Sequence, residues 1–308
     1  MSYYTHCTFS GHIDWCADYI AFVLRRRIKE TAGDTMEAYS VLMSVYHKED
    51  PEYLHQSIQS VMEQTVKTND FVLVCDGPLT DALDAVIASA VKSFGEVVRV
   101  FRLEENQGLK HALNYGLPLC KNELIARMDS DDICHKERCA LQLACFDENP
   151  ELGIVSGTVE EFEGSVENVT AVKKLPLTHE EIIKYSKTRS PFNHPCVMYR
   201  KSAVLAVGGY PGPVLYEDYA LWVELLASGV KGRNLPDTLC YMRVDGGMYA
   251  RRGGWGYLKK ATAFRWSLYR EKHYCSLWES IYSVGAAAVV ALLPTGPRRL
   301  IYKVLLRK

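Results

Sequence analysis

No run of about 20 consecutive apolar side chains, the length a helix needs to cross a bilayer, occurs in the 308 residues. The longest apolar stretch, residues 284–293, stops at Pro294. It reads either as a buried helix or as a segment dipping into one leaflet, and the basic residues that follow favour the second. Net charge is nearly absent, at −1, so the protein as a whole is not drawn to polyanions and nucleic acid is not an expected partner. That balance hides an asymmetry, because Arg298, Arg299, Lys303, Arg307 and Lys308 face no acid in the last eleven residues. No CxxC pair and no secretory signal accompany the ten cysteines, which scatter from Cys7 to Cys275 and read as reduced cytosolic thiols. His6, Cys7, His12 and Cys16 match no zinc spacing, and the Asn168-Val169-Thr170 sequon is idle in that compartment. Neither GxGxxG after the first strand nor GxxxxGK[ST] anywhere is found, which disfavours a dinucleotide oxidoreductase and a P-loop ATPase.

What is present is a globular composition, 48% apolar and 24% charged. From Tyr39 onward, short apolar runs alternate with helical periods, the pattern of a parallel α/β sheet. The predicted strands are 39–45, 71–75, 97–103 and 124–128, separated by helices 52–64, 81–94 and 109–117. A helix at 136–148, a strand near 153–161 and a helix opened by the Thr178 to Glu181 capping box follow. Residues 191–216, rich in Pro and Gly, read as loops around a site, and 218–228 returns to helix with Leu221, Trp222, Leu225 and Leu226 inward. Residues 1–37 read as an N-terminal extension, either an amphipathic appendage or the product of an upstream start before Met36. Residues 38–275 form the site-bearing domain, and 276–308 a helical tail.

Open parallel sheets bind ligands beyond the carboxyl ends of their strands. There the sequence places Ser44, Tyr46 and Glu49, then Asp76-Gly77-Pro78, then Asn106-Gln107-Gly108, then Asp129-Ser130-Asp131-Asp132. Residues two apart in a chain leaving a strand point to one side, which pairs Asp129 with Asp131 and turns Asp132 elsewhere. Two such carboxylates suit magnesium or manganese with positions left open for diphosphate oxygens, although acid-rich turns after strands are mostly solvated caps. The segment around Gly108 starts a helix whose backbone N–H groups favour an anion, or is an ordinary Asn-Gly turn. Glu217-Asp218 opens the next helix, where an acid is favoured by the helix dipole. Arg243, Arg251 and Arg252, flanked by Gly246-Gly247 and Gly253-Gly254, suit a loop closing over a diphosphate, or a solvated one.

Taken in order, the runs from Tyr39 to Tyr46, Val74 to Gly77, Asn106 to Leu109, Asp129 to Asp132 and Tyr216 to Trp222 resemble family 2 glycosyltransferases of the GT-A fold, over about residues 38–275. The nearest branch is the one that builds capsular and extracellular polysaccharides. The resemblance implies a Rossmann-like, mostly parallel sheet flanked by helices. It implies that Ser44, Tyr46 and Asp76 hold the nucleoside, with the Asp76 carboxylate accepting from a ring N–H, and that Glu49, Asn106, Gly108 and Lys110 line the nucleotide sugar. Asp129 would reach ribose or metal, and Asp131 would be the main ligand of Mn2+ or Mg2+. Asp218 would be the base that takes the acceptor's proton. His194, in the irregular region, either lines the acceptor side or is a structural histidine, and Glu217 and Trp222 are further candidates for that side. Gly77 stands where a second Asp is common and His47 where Asn is frequent, which leaves base and sugar open.

The function implied is an inverting transfer from a nucleotide-diphosphate sugar, UDP-sugar first, to a lipid-linked glycan acceptor in exopolysaccharide, capsule or O-antigen synthesis. The setting would be the inner face of the cell membrane. A nucleotidyltransferase, or a catalytically silent carbohydrate-binding protein on the same fold, are the alternatives. The tail, at 276–293 and 297–308, is expected to lie on the membrane rather than cross it.

Overall fold

In the computed structural model of the protein, the described residues are 37–212, 215–244 and 253–294. The expected extension up to residue 36, Arg251 and Arg252, and the second part of the tail, 297–308, lie outside them.

The first half follows directly from its apolar runs. Strands β1 (Tyr39–Val45), β2 (Asp70–Cys75), β3 (Val98–Arg102) and β4 (Leu124–Met128) lie parallel in the order β3-β2-β1-β4. Every residue of β2 and β4 is buried, as expected of strands covered on both faces. Helices α1 (Pro51–Met62), α2 (Asp81–Phe94) and α3 (Leu109–Gly116) make the crossovers. Local chemistry sets their starts: Asp50 accepts from the Glu52 N–H at 2.8 Å with Pro51 in the first turn, and Thr80 accepts from the Leu83 N–H. At the edge where the strands begin, buried Asp70 accepts from Ser40 Oγ (2.6 Å), Arg99 Nε (2.7 Å) and Lys121 N (2.8 Å). A charge without water is tolerated there because every contact to it is a donor.

Beyond β4 the sheet is not the mostly parallel one expected. Strand β8 (Met198–Arg200) runs antiparallel between β4 and β6 (Leu152–Phe162), and β6 pairs parallel with β9 (Lys231–Arg243). Strands β5 (Ile133–Cys134) and β7 (Val169–Lys173) add antiparallel pairs to β9 and β6. Among the described residues the sheet has nine strands, with parallel pairing confined to β1–β4 and to β6 with β9. The stretch expected as loops, 191–216, holds β8 and α6 (Lys201–Ala206). Pro236 inside β9 cannot donate to a ladder, and the pairing with β6 shifts register after Gly157, so no alternation marks this strand in the sequence.

Helix α4 (Arg138–Glu148) supplies a buried lock. Arg138 donates to the carbonyls of Arg127 (2.7 Å), Val197 (3.0 Å) and Pro195 (3.0 Å), tying β4 to the segment before β8. Helix α5 (His179–Ser186) opens on the expected capping box. Helix α7 (Glu217–Ala227) buries Leu221, Trp222, Leu225 and Leu226 in the core, as its spacing predicts. Its outer side carries Tyr216, Tyr219, Ala220 and Val223 against α8 (Gly254–Arg270), and Ala287 of α9 (Leu277–Leu292) joins that cluster. The boundary expected after residue 275 therefore falls inside a helical hairpin. No helix among the described residues is long and apolar enough to cross a membrane.

Candidate active site

The loop leaving β4 is held at four successive residues. The Asp129 carbonyl accepts from Ser57 Oγ of α1 at 2.7 Å, and Ser130 Oγ donates to Glu49 Oε2 at 2.5 Å. The Asp131 carbonyl accepts from Arg243 Nε at 3.0 Å, and buried Asp132 accepts from the Arg243 N–H at 2.8 Å. Asp132 is tied by that bond to β9, and burial with Asp131 and Asp129 nearby raises its carboxyl pKa. Both oxygens of Asp129 are taken by the guanidinium of Arg127, a buried residue two positions earlier on the same side of β4. Burial, with Asp129 and Glu49 nearby, pushes the Asp131 carboxyl up to about 7.

Asp76, at the end of β2, is 4% exposed and accepts from the N–H groups of Gln107 (2.8 Å) and Gly108 (2.9 Å), one on each oxygen. The N–H groups expected to be free for a ligand anion before α3 are therefore occupied by an anion of the chain itself. Asn106 Nδ2 adds a bond to the Asp76 carbonyl at 3.1 Å. Gly77 makes this closeness possible: its φ is +86°, and a Cβ there would lie 2.6 Å from the backbone N of Asn106. Gly77→Ala should cost at least about 2 kcal/mol and lower Tm by about 4–8 °C, with weaker nucleotide binding. Scanning calorimetry with a nucleotide titration checks this; an unchanged Tm would show that the loop shifts freely.

Asp218 lies in the first turn of α7, after a Tyr216 that caps with no side-chain bond. Burial is the main cause that raises its carboxyl pKa; the Tyr219 N–H opposes, Glu217 adds to the rise, and Lys173 and Arg127 draw it back. Burial pushes the Tyr210 hydroxyl up, with Arg127 drawing it back and Asp218 and Asp129 adding to the rise. Tyr210 also meets His194 Nε2 at 3.2 Å, and burial with Arg127 and Lys173 nearby keeps that histidine neutral. Glu217 leaves one buried carboxylate oxygen without a hydrogen-bond partner.

Several expected roles change. Trp222 is fully buried, edge-on to Phe192 (5.7 Å) and His194 (5.9 Å), so it packs behind His194 and offers no surface to an acceptor. The Arg243 guanidinium stacks over Tyr53 (3.8 Å) and Phe162 (4.7 Å) and donates from Nη2 to Gln56 at 2.8 Å, so it braces the carboxylate loop instead of waiting for a diphosphate. Arg251 and Arg252 lie outside the described residues. Lys110 is exposed and reaches the Gly212 carbonyl at 3.3 Å. Ser44 is half-buried near the end of β1, and Tyr46 is exposed beside His47. Arg127, Tyr210 and Lys173 were not expected at all. An arginine inside the apolar run Leu124–Met128 was a signal open to reading; Tyr210 and Lys173 lie in no motif.

Oxygen donors are what magnesium or manganese prefer, and Asp131 is raised by burial first and then by Asp129 and Glu49, a shift that a cation beside it would oppose. Among the described residues no three His, Cys, Asp or Glu side chains are grouped to hold a metal by themselves. The residues fit a divalent cation that Asp131 would hold from the protein side, Asp129 being held by Arg127, and that would supply positive charge to a diphosphate.

The model of the family described as Glycosyl transferase family 2 matches residues 40–208. The UDP-Gal:alpha-D-GlcNAc-diphosphoundecaprenol beta-1,3-galactosyltransferase of Escherichia coli is 38% identical over 276 residues, 90% of this chain and 99% of that one. The amylovoran biosynthesis glycosyltransferase AmsE of Erwinia amylovora is 38% identical over 234 residues, 76% of this chain and 85% of that one. Among solved structures, the mannosyltransferase PcManGT from Pyrobaculum calidifontis, in complex with GDP-Man and Mn2+, superposes with a TM-score of 0.58 at 15% identity, covering 92% of this chain and 87% of its own.

Proposed function

The chain belongs to glycosyl transferase family 2 and is a glycosyltransferase of the GT-A fold, and from that premise we propose that it moves a sugar from a UDP-sugar to a lipid-linked glycan during surface polysaccharide assembly. The observation that carries this reading is the carboxylate loop after β4, anchored at residues 129–132, on the same edge of the parallel sheet as buried Asp76 after β2. The E. coli relative, named for a UDP-Gal donor and a diphosphoundecaprenol-linked acceptor, supports the substrate classes.

Asp76 and the backbone it orders, with Ser44 and Tyr46, would receive the nucleoside, while Glu49, Asn106, Gly108 and Lys110 line the rest of the donor. A divalent cation bound at Asp131 would supply neutralisation of the diphosphate leaving group. Asp218 takes the proton of the acceptor hydroxyl as its oxygen bonds to the anomeric carbon and the bond to diphosphate breaks on the opposite face, which inverts the centre. His194 and Tyr210, hydrogen-bonded to one another, frame that side. We place the enzyme peripherally on the inner membrane face, where a lipid-linked acceptor would be met.

Incubating the protein with a panel of nucleotide sugars, manganese and a lipid-diphosphate acceptor, and measuring released nucleotide diphosphate, tests the reading. Acceptor-dependent release from one UDP-sugar is expected. Release from none would reject it.

A further inference from the structure

Helix α9 has its polarity reversed for a helix in water. The side turned to the protein buries Ser280, Ser283, Val290 and Ala291, and Ser280 Oγ donates to the Arg265 carbonyl of α8 at 3.1 Å. The side turned outward carries Trp278, Ile281, Tyr282, Val289 and Leu292, each between 48 and 77% exposed, with Gly285 and Ala286 exposed between them. The spacing of three or four keeps these on one stripe. The single charged residue of α9, Glu279, is at its start, bonded to the Ser276 N–H at 2.7 Å.

The stripe leads somewhere. Residues 271–276 connect α8 to α9, and Ser280 lies against Arg265, so α9 returns along α8. At 1.5 Å per residue, Leu292 is about 18 Å beyond Ser280 and Trp255 about 15 Å before Arg265, which brings both to the same end of the hairpin. That end adjoins the start of α7, because Tyr257 meets Tyr216 at 6.4 Å and Phe264 stacks on Tyr216 at 4.7 Å. Trp255 is 75% exposed there, with Lys259 and Lys260 exposed one turn on.

We propose that the outward face of α9, continued by Trp255, is the surface by which the enzyme seats itself on an anionic bilayer, and that this seating presents the Asp218 end of the site to the lipid headgroups. The proposal rests on the reading that the acceptor is lipid-linked. Tryptophan and tyrosine at the ends of an uncharged stripe match the headgroup boundary, whose amphipathic character suits their rings. The basic side chains complement anionic lipid: Lys259 and Lys260 on α8, and five Lys and Arg with no acid in sequence positions 298–308. A helix of 16 residues spans about 24 Å, so it lies in the plane of the surface and does not cross it.

The test is co-sedimentation of the full chain with vesicles of equal parts phosphatidylcholine and phosphatidylglycerol, comparing wild type with the triple variant Trp278→Ser, Tyr282→Ser, Val289→Ser. All three side chains point outward, so the fold should persist, as an unchanged Tm would show. Partition should fall by about tenfold or more, since each large side chain contributes substantial apolar area. Partition within about twofold of wild type would overturn the proposal, as would a wild-type dimer that becomes monomeric in the variant while vesicle binding stays. Brominated acyl chains should quench tryptophan fluorescence less in both Trp278→Phe and Trp255→Phe; a loss in the first alone would overturn the orientation. Vesicle binding is read without substrate, so failure to identify a donor leaves this outcome intact.

Discussion

Asp218→Asn should lower kcat by roughly 10²–10⁴-fold, the usual contribution of a positioned general base, with donor affinity little changed. The carboxylate lies in the first turn of α7, and burial raises its pKa from the ordinary Asp value, with Lys173 and Arg127 drawing it back. The base must be ionised, so the wild-type rate should fall as pH drops through that raised value, and the variant should lose this limb. The same shift fixes the sign for stability. A carboxyl whose folded pKa exceeds its unfolded value takes up a proton on folding, so its ionised form opposes folding at neutral pH, and the opposition disappears below the unfolded value. The neutral Asn side chain should leave Tm unchanged or higher. A lower Tm with specific activity intact would mean that Asp218 serves only to start the helix.

The second large effect is expected at Asp131. Its carboxyl stands near Asp129 and Glu49, and Asp129 is already committed to Arg127. Of the Asp129 and Asp131 pair, Asp131 is therefore the carboxylate not committed to Arg127. Asp131→Asn should weaken manganese-dependent UDP binding by at least roughly 100-fold, since loss of mere supporting groups around a metal costs 10–100-fold. Metal-independent binding and Tm should change little. Calorimetric titration of UDP with and without manganese reads this directly, and equal metal dependence in both proteins would remove Asp131 from the site.

Much of this was legible in the chain. β1, β4 and α2 end where their apolar runs and the flanking Thr80 and Gly95 place them, because in each case local chemistry and the buried pattern agree. The order of polar residues after the parallel strands was also readable, as topology puts strand ends on one edge whatever the loops do. The second half was obscured. β8 is three residues long, β5 two, and β9 contains Pro236 and shifts register against β6, so none offers a period to count. The surroundings of Arg243 and Trp222 are not legible in the sequence, because residue type announces what a side chain can bind, while its neighbours decide whether it is free. Tyr53, Phe162 and Gln56 are distant from Arg243 in sequence yet occupy it.

The four successive anchors on residues 129–132 bear on the entropy of recognition. Ser57, Glu49 and Arg243, contributed by α1, the β1 loop and β9, fix this loop when the domain folds. Ordering a backbone residue costs about 1–2 kcal/mol, and here that cost falls on folding, before any nucleotide arrives. The arriving donor then gives up only its own freedom, so more of each contact appears as affinity. Residues that touch no ligand, such as Ser57 and Gln56, thereby become determinants of how tightly it is held.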